Sequence, residues 1–277
     1  MIKYQKTKTL ETKPNNNSAN CIAPNIIYGC FGGCIDSYCY MSRYNGHRVF
    51  VNNNVDEIFN SVVEWEKTYT KVPDQQDPVY TMVDIACNTD LVLMQKHMPE
   101  PLMEYLKRYD DHPQFNTTMA TKYPSLLKLD VNHFNKKPRV RISAMPQKYS
   151  DILEPKMQPI EDRLREGTRL RELGWEVHIN FSPIILYPGG DVLYDELFKT
   201  AKDILGETPC EMIALTNHQR QMEKASPEAQ ELMKLSSEVK NRSGVMRYPL
   251  KLKQTTLKSL VNIYCKYFNE SSIRYIF

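Results

Sequence analysis

No stretch of this 277-residue chain approaches the ~20 consecutive apolar residues that a bilayer-spanning helix needs. The N-terminus, MIKYQKTKTLETKPNNNSAN, starts basic but has no apolar core, which argues against a secretory leader. Strong charge is also missing. A net charge of +3 is too small by itself to argue for nucleic acid, whose footprints are local patches. There is no disulfide framework either: the seven cysteines are an odd number and are bunched rather than spaced. That usage fits a reducing cytoplasm. A second CxxC or HxxxH pair, which a structural zinc site would draw on, is absent as well. What remains is an ordinary soluble composition, 41% hydrophobic and 25% charged with a mean hydropathy of -0.53.

Against that background one stretch stands out, YGCFGGCIDSYCYMSRY at 28–44. Cys30, Cys34 and Cys39 fall within ten residues, with Gly32 and Gly33 between the first pair and tyrosines on both sides of the third. Thiolates this close suggest a shared metal centre, and iron–sulfur clusters take several thiolates from one loop. The glycines would let backbone approach inorganic sulfide. Three ligands leave a four-iron cluster one iron short of protein ligation, where a small molecule can bind. A zinc site is the competing reading, with His47 as the nearest further ligand.

Residues 1–20 are polar and asparagine-rich, and are expected to form a flexible arm ahead of a domain spanning 21–277. IAPNIIYG (22–29) reads as a strand feeding the cysteine loop, and the spacing over 55–69 predicts a helix. A strand at 79–86, a helix at 99–111, a strand at 115–122 and a helical segment at 123–134 follow. RVRISA (139–144) alternates as a half-buried strand does. Beyond it come a helix at 159–174, a strand at 175–185, a helix at 191–205 and a strand at 210–217. Residues 223–243 are helical in composition, and a helix at 252–268 precedes a terminal strand. Strand and helix alternate about six times, each unit long enough for a parallel crossover. The expected fold is α/β, a partial (β/α)6 TIM-like barrel with a C-terminal helical extension. Its chemistry would sit at the C-terminal strand ends, where the cysteine loop, CNTD (87–90) and Lys122 all fall.

These residues carry a resemblance. The loop resembles that of radical S-adenosylmethionine enzymes, and the chain over 21–277 resembles the spore photoproduct lyase family, in particular members outside the spore-formers. That family's motif is Cys-x3-Cys-x2-Cys with tyrosines around the third cysteine. Cys30-x3-Cys34 and Tyr38-Cys39-Tyr40 match it, while Cys34-x4-Cys39 is two residues longer. DIACNTDL (84–91), TMATKYPSLL (118–127), RVRISAMPQKY (139–149), the run 159–190, GVMRYPLKLKQ and IRYIF extend the similarity.

The resemblance implies a [4Fe–4S] cluster on Cys30, Cys34 and Cys39 and S-adenosylmethionine as cofactor. It further implies reductive cleavage to a 5′-deoxyadenosyl radical, hydrogen abstraction, and fragmentation of a methylene-bridged thymine dimer in DNA. Cys87 would return the hydrogen, with Tyr38 and Tyr40 as relays. Asn88, Lys122 and Ser143 would contact the cofactor. A flavodoxin or ferredoxin would supply electrons in the cytoplasm, with no membrane partner. Arg247 and Tyr248 are candidates for substrate contact, since arginine suits phosphate and tyrosine a splayed base. Bland readings stand beside these: Cys87 as a packing thiol, Ser143 as a turn cap, Lys122 and Arg247 as solvated charges. Cys210 and Cys265 are expected to be inert core residues. Two other functions compete with the lyase: radical chemistry on another nucleotide or base, and a non-catalytic, metal-stabilised nucleic-acid-binding protein.

Overall fold

The computed structural model describes residues 1–15, 17–39, 48–72, 76–155, 157–239 and 244–277. Tyr40 and His47 lie outside the described residues. The chain divides into two compact units. The first comprises Met1–Phe31, His47–Arg141 and Arg169–Val177; the second comprises Gly32–Gly46, Ile142–Thr168 and His178–Phe277.

Five short strands precede the first helix: β1 (Ile2–Gln5), β2 (Lys13–Pro14), β3 (Cys21–Ile22), β4 (Ile27–Tyr28) and β5 (Val49–Asn52). β1 runs parallel to β5 from Ile2↔Val49 to Gln5↔Asn52, and β4 pairs antiparallel with β5 on its other side. Helix α1 (Val55–Glu66) buries Val55, Ile58 and Val62, the i, i+3, i+7 stripe that its spacing predicts. Asp56 and Glu57 in its first turn suit the positive end of the helix dipole. β6 (Thr81–Asp84), the single turn α2 (Leu91–Met94), α3 (Leu102–Asp111), β7 (Phe115–Thr121) and β8 (Arg139–Ala144) follow. β3, β6 and β7 are mutually parallel, and β2 pairs antiparallel with β3.

Two expectations fail in this unit, each for a physical reason. The single strand expected at 22–29 is broken. Pro24 has no N–H to give a ladder, and the two halves join different sheets, β3 beside β6 and β4 beside β5. The helix expected within 123–134 is only a 3-10 turn, Pro124–Leu126. Its carbonyls are taken from outside: Arg169 donates to Pro124 and Leu127, and the Trp175 indole donates to Leu129. Tertiary donors have replaced the i→i−4 ladder.

The rest of the chain adds α4 (Gln147–Leu153), α5 (Ile160–Glu172), β9 (Glu176–Ile184), α6 (Gly190–Leu205) and β10 (Cys210–Ala214). Then come β11 (Thr216–His218), α7 (Gln219–Met222), α8 (Pro227–Met233), β12 (Glu238–Val239), β13 (Val245–Arg247), α9 (Leu250–Tyr264) and β14 (Ile273–Ile276). β10 lies parallel to both β9 and β14. Alternation on β9 turns Ile179 and Phe181 into the apolar core of the second unit. There Phe181 meets Phe198 edge-on at 4.9 Å, and Phe198 meets Tyr264 at 5.4 Å.

The strand expected at 210–217 divides: β10 stays in the main sheet, while β11 joins an antiparallel sheet of order β11-β13-β12. Only Pro227–Met233 of the helical-looking 223–243 is a helix of more than one turn, and 240–243 lie outside the described residues. The main sheet has the order β14-β10-β9-β8-β7-β6-β3-β2. Strand, helix and parallel crossover recur as expected, which is the partial TIM-like (β/α) barrel class. Among the described residues no helix is long and apolar enough to cross a membrane.

Candidate active site

In the first unit the chain approaches Cys30 through Gly29, whose φ of 90° lies in the left-handed region that glycine alone enters without strain. The Gly29 N–H donates to the Asn88 carbonyl at 3.2 Å, and Thr89 Oγ1 donates to the Gly29 carbonyl at 2.9 Å. Backbone beside Cys30 is thereby tied to the loop that carries Cys87. The Asn88 side chain donates to Asn25 Oδ1 at 3.0 Å, so its amide braces the same corner.

Asp84, at the end of β6, accepts from the Ala86 N–H at 3.0 Å and from Arg141 at 2.7 Å, both side chains of the ion pair being buried. It thus shapes the turn into Cys87. The Cys87 residue is exposed. Desolvation by the surrounding chain, followed by the Asp84 charge, nonetheless pushes its thiol up to about 12, with Arg141 and Lys13 pulling the other way. A thiol is already S–H at neutral pH, and this shift keeps it so well into the alkaline range.

Asp90 closes the loop onto the next strand end. Its carboxylate accepts from Thr121 Oγ1 at 2.9 Å and from the Lys122 N–H at 2.8 Å, and it caps α2 through the Leu93 N–H. Lys122 thus sits at the end of β7, one loop away from Cys87. Asp90 and Thr89 were missed as site-building residues, although an Asx before an apolar run is a readable cap signal.

In the second unit the cysteine loop contains a 3-10 turn, Gly33–Asp36. Cys34 is buried and Cys39 half-buried. The Cys34 carbonyl accepts from the Ser37 N–H at 3.2 Å and from the Cys39 N–H at 3.0 Å. Tyr38 is buried, and its hydroxyl donates to Glu154 at 2.5 Å. Burial first, and then the Glu154 charge, hold that phenol well above its ordinary range. Glu154 is in turn paired with Arg163 at 2.7 Å, both side chains fully buried.

Ser143, on β8, is buried. Its carbonyl accepts from Arg163 at 3.3 Å and its hydroxyl accepts from the Asn180 amide at 3.4 Å. The other end of that amide, Asn180 Oδ1, is buried with no partner among the described residues. Asn180 is a further residue that sequence reading missed: on β9 only the alternation marks it as facing away from the Phe181 core.

Arg247 is exposed on β13, with Glu238 at 3.9 Å. Tyr248 is different. Only 1% of it is exposed, and its hydroxyl accepts the Leu186 N–H at 3.1 Å. A ring so enclosed packs the core and offers no face to a splayed base. Cys210 is buried as expected, whereas Cys265, also expected in the core, is exposed on the last turn of the C-terminal helix.

Among the described residues no three His, Cys, Asp or Glu side chains converge as they would around a single metal ion. Three thiols in ten residues fit the donor set of a four-iron cluster, in which each thiolate binds a separate iron. The unpartnered Asn180 oxygen beside Ser143 fits a polar, hydroxyl-bearing cofactor.

A partial (β/α) barrel with a three-cysteine loop is the scaffold of the radical S-adenosylmethionine superfamily. Within it, the chain belongs to the spore photoproduct lyase family, whose model matches residues 2–276. A curated relative, the spore photoproduct lyase of Clostridium acetobutylicum, is 25% identical over 198 residues, covering 70% of this chain. The match spans 55% of that relative's length. Among solved structures, a cysteine-to-alanine mutant of spore photoproduct lyase superposes with a TM-score of 0.78 at 16% identity, covering 100% of this chain and 82% of the other. A double mutant with bound AdoMet and dinucleoside spore photoproduct gives 0.76 at 18% identity, covering 99% and 81%. At these identities the structures establish the fold.

Proposed function

We propose that this protein is a radical S-adenosylmethionine lyase that repairs a thymine-dimer photoproduct in DNA. The observation carrying the reading is the family match over 2–276, which includes the three-cysteine loop and the Cys87 segment. Cys30, Cys34 and Cys39 would hold a [4Fe–4S] cluster, and Lys122, Ser143 and Asn180 would contact S-adenosylmethionine. When bound, these groups supply one-electron reduction and hydrogen-atom abstraction from substrate.

The chain's own part is to hold and deliver. Cys87 keeps its hydrogen because burial and Asp84 disfavour the thiolate. Tyr38 keeps its phenolic hydrogen for the same class of reason. Asn88 acts through the backbone, its carbonyl fixing Gly29 next to Cys30 and its side chain bracing Asn25. Tyr40 stays in the relay on the strength of its place beside Cys39. Arg247, exposed on the antiparallel sheet of the C-terminal region, suits a backbone phosphate. That region, following the barrel strands, is read as the substrate-binding extension. The electron donor is a flavodoxin or ferredoxin, and the setting is cytoplasmic.

Anaerobic reconstitution followed by dithionite, S-adenosylmethionine and irradiated spore-type DNA tests the reading. The expected result is a four-iron signal that a Cys30→Ala variant loses, together with 5′-deoxyadenosine and restored thymine. Stoichiometric zinc in place of iron would sink the enzyme reading. Cofactor cleavage without recovered thymine would move the substrate to another base.

A further inference from the structure

The spacing Cys34-x4-Cys39 leaves the third thiol on a longer tether than the x2 spacing of the family motif. A longer tether leaves more backbone freedom to remove before Cys39 has a defined position. The second unit removes it at three successive points, all on one short segment at the end of α4. Gly33 lies flat against Pro155, where any Cβ would collide with the Pro155 carbonyl oxygen. Ser37 Oγ lies within hydrogen-bonding distance of both the Leu153 and the Cys34 carbonyls, and its single hydrogen serves one of them at a time. The Tyr38 hydroxyl donates to Glu154.

Glu154 is not a free surface acceptor. It is the C-cap residue of α4, fully buried, and its Oε2 accepts from Arg163 at 2.7 Å and from Ser150 Oγ at 3.4 Å while Tyr38 holds Oε1. Arg163 is held in turn by the Gln158 carbonyl at 2.8 Å and the Ser143 carbonyl at 3.3 Å. The loop folds into the 3-10 turn Gly33–Asp36, and the Cys39 N–H returns to the Cys34 carbonyl.

We propose that Leu153–Glu154–Pro155 is the seat that positions Cys39 in this expanded cysteine loop, with Glu154 acting as a positioning residue through Tyr38. The proposal rests on the cluster reading above. Residues 37 and 38 are both pinned, so the α-carbon of residue 39 has little freedom left. A carboxylate suits the task because a buried, ion-paired oxygen is a stronger acceptor for a phenol than a neutral one.

The test compares wild type with Tyr38→Phe, with Ser37→Ala/Tyr38→Phe and with Glu154→Gln. Tyr38→Phe removes one oxygen and leaves the ring packing and the Glu154–Arg163 pair in place, so it guards against a simple folding failure. The metal-free proteins are treated with iodoacetamide, and the alkylation of Cys34 and Cys39 is followed separately by peptide mass spectrometry. Iron and sulfide per chain and the EPR spectrum of the reduced cluster are then measured after reconstitution. We expect Cys39 alkylation to rise about tenfold in Tyr38→Phe, the factor carried by one hydrogen bond to a charged group, and further in the double variant. Cys34 should change far less, iron occupancy should fall, and the EPR signal should broaden. Unchanged Cys39 alkylation and full iron in all three variants would overturn the seat while leaving the cluster reading intact, even if turnover were lost with the relay. A wild type that binds no iron and sulfide would overturn the cluster reading itself, and the seat with it.

Discussion

The buried Arg163–Glu154 pair makes a quantitative prediction. Both side chains are 0% exposed and their charged atoms are 2.7 Å apart. At an effective dielectric of 20 their attraction is about 6 kcal/mol, which offsets the cost of taking both ions out of water. In Arg163→Met the Glu154 carboxylate stays buried without its cationic partner, keeping the Tyr38 and Ser150 donors, and the Ser143 and Gln158 carbonyls lose the guanidinium. Removing one member of a buried pair costs about 3–5 kcal/mol. With a urea slope of about 2–3 kcal/mol/M, the unfolding midpoint of the metal-free protein should fall by roughly 1.5 M. Replacing both partners, Arg163→Met with Glu154→Leu, removes the stranded charge and should recover about half the loss or more. Circular dichroism during urea titration reads all three. A single variant within about 0.3 M of wild type would refute the reasoning, because a desolvated charge cannot lose its partner at so little cost.

Further predictions concern the end of β6 and the core. Cys87, despite its exposure, should resist iodoacetamide at pH 8–9, where an ordinary thiol of pKa ~8.5 reacts freely. The raised thiol binds its proton more tightly in the folded state, so its contribution to stability is complete below the unfolded value of 9.0 and is lost as pH climbs towards about 12. Asp84→Asn removes the charge that raises the pKa and frees Arg141, so the break in the rate–pH profile should move down. A wild-type break near 9 would contradict the assignment. In the core, Phe181→Ala empties a site with no exposed surface between Phe198 and Tyr264. It should lower stability by about 3–5 kcal/mol in the same urea assay, and a loss under ~1 kcal/mol would mean the ring is not packed as described.

Much of the fold was legible because periodicity and crossover length are local properties. α1, α3, α5, α6 and α9, and strands β6 to β10, lie within a few residues of where spacing puts them. The failures have two causes: a partner distant in sequence supplied the hydrogen bonds, or a proline inside the segment withheld one. Arg169 and Trp175 hold 124–129 open against helix, and Pro24 sends the two halves of 22–29 to different neighbours. The candidate site divides in the same way. The cysteine spacing, the CNTD turn and the lysine after β7 can be read as residue types at strand ends. Nothing in the order of residues pairs Gly29 with Asn88 and Thr89, or Tyr38 with Glu154.

By itself, then, the sequence determined the barrel class, the family and the identity of the thiols, since each depends on residue type and spacing along the chain. Only the tertiary structure decided which neighbours surround each of those groups. It buried Tyr248 and exposed Cys265, left an Asn180 oxygen beside Ser143 without a partner among the described residues, and set Asp84 near Cys87, where desolvation and that charge disfavour the thiolate. It also folds Gly33–Asp36 into a 3-10 turn and brings Ser37 and Tyr38 onto Leu153 and Glu154. The physical reason is that burial, ion pairing and hydrogen-bond direction belong to neighbours in space, which spacing along a chain does not specify.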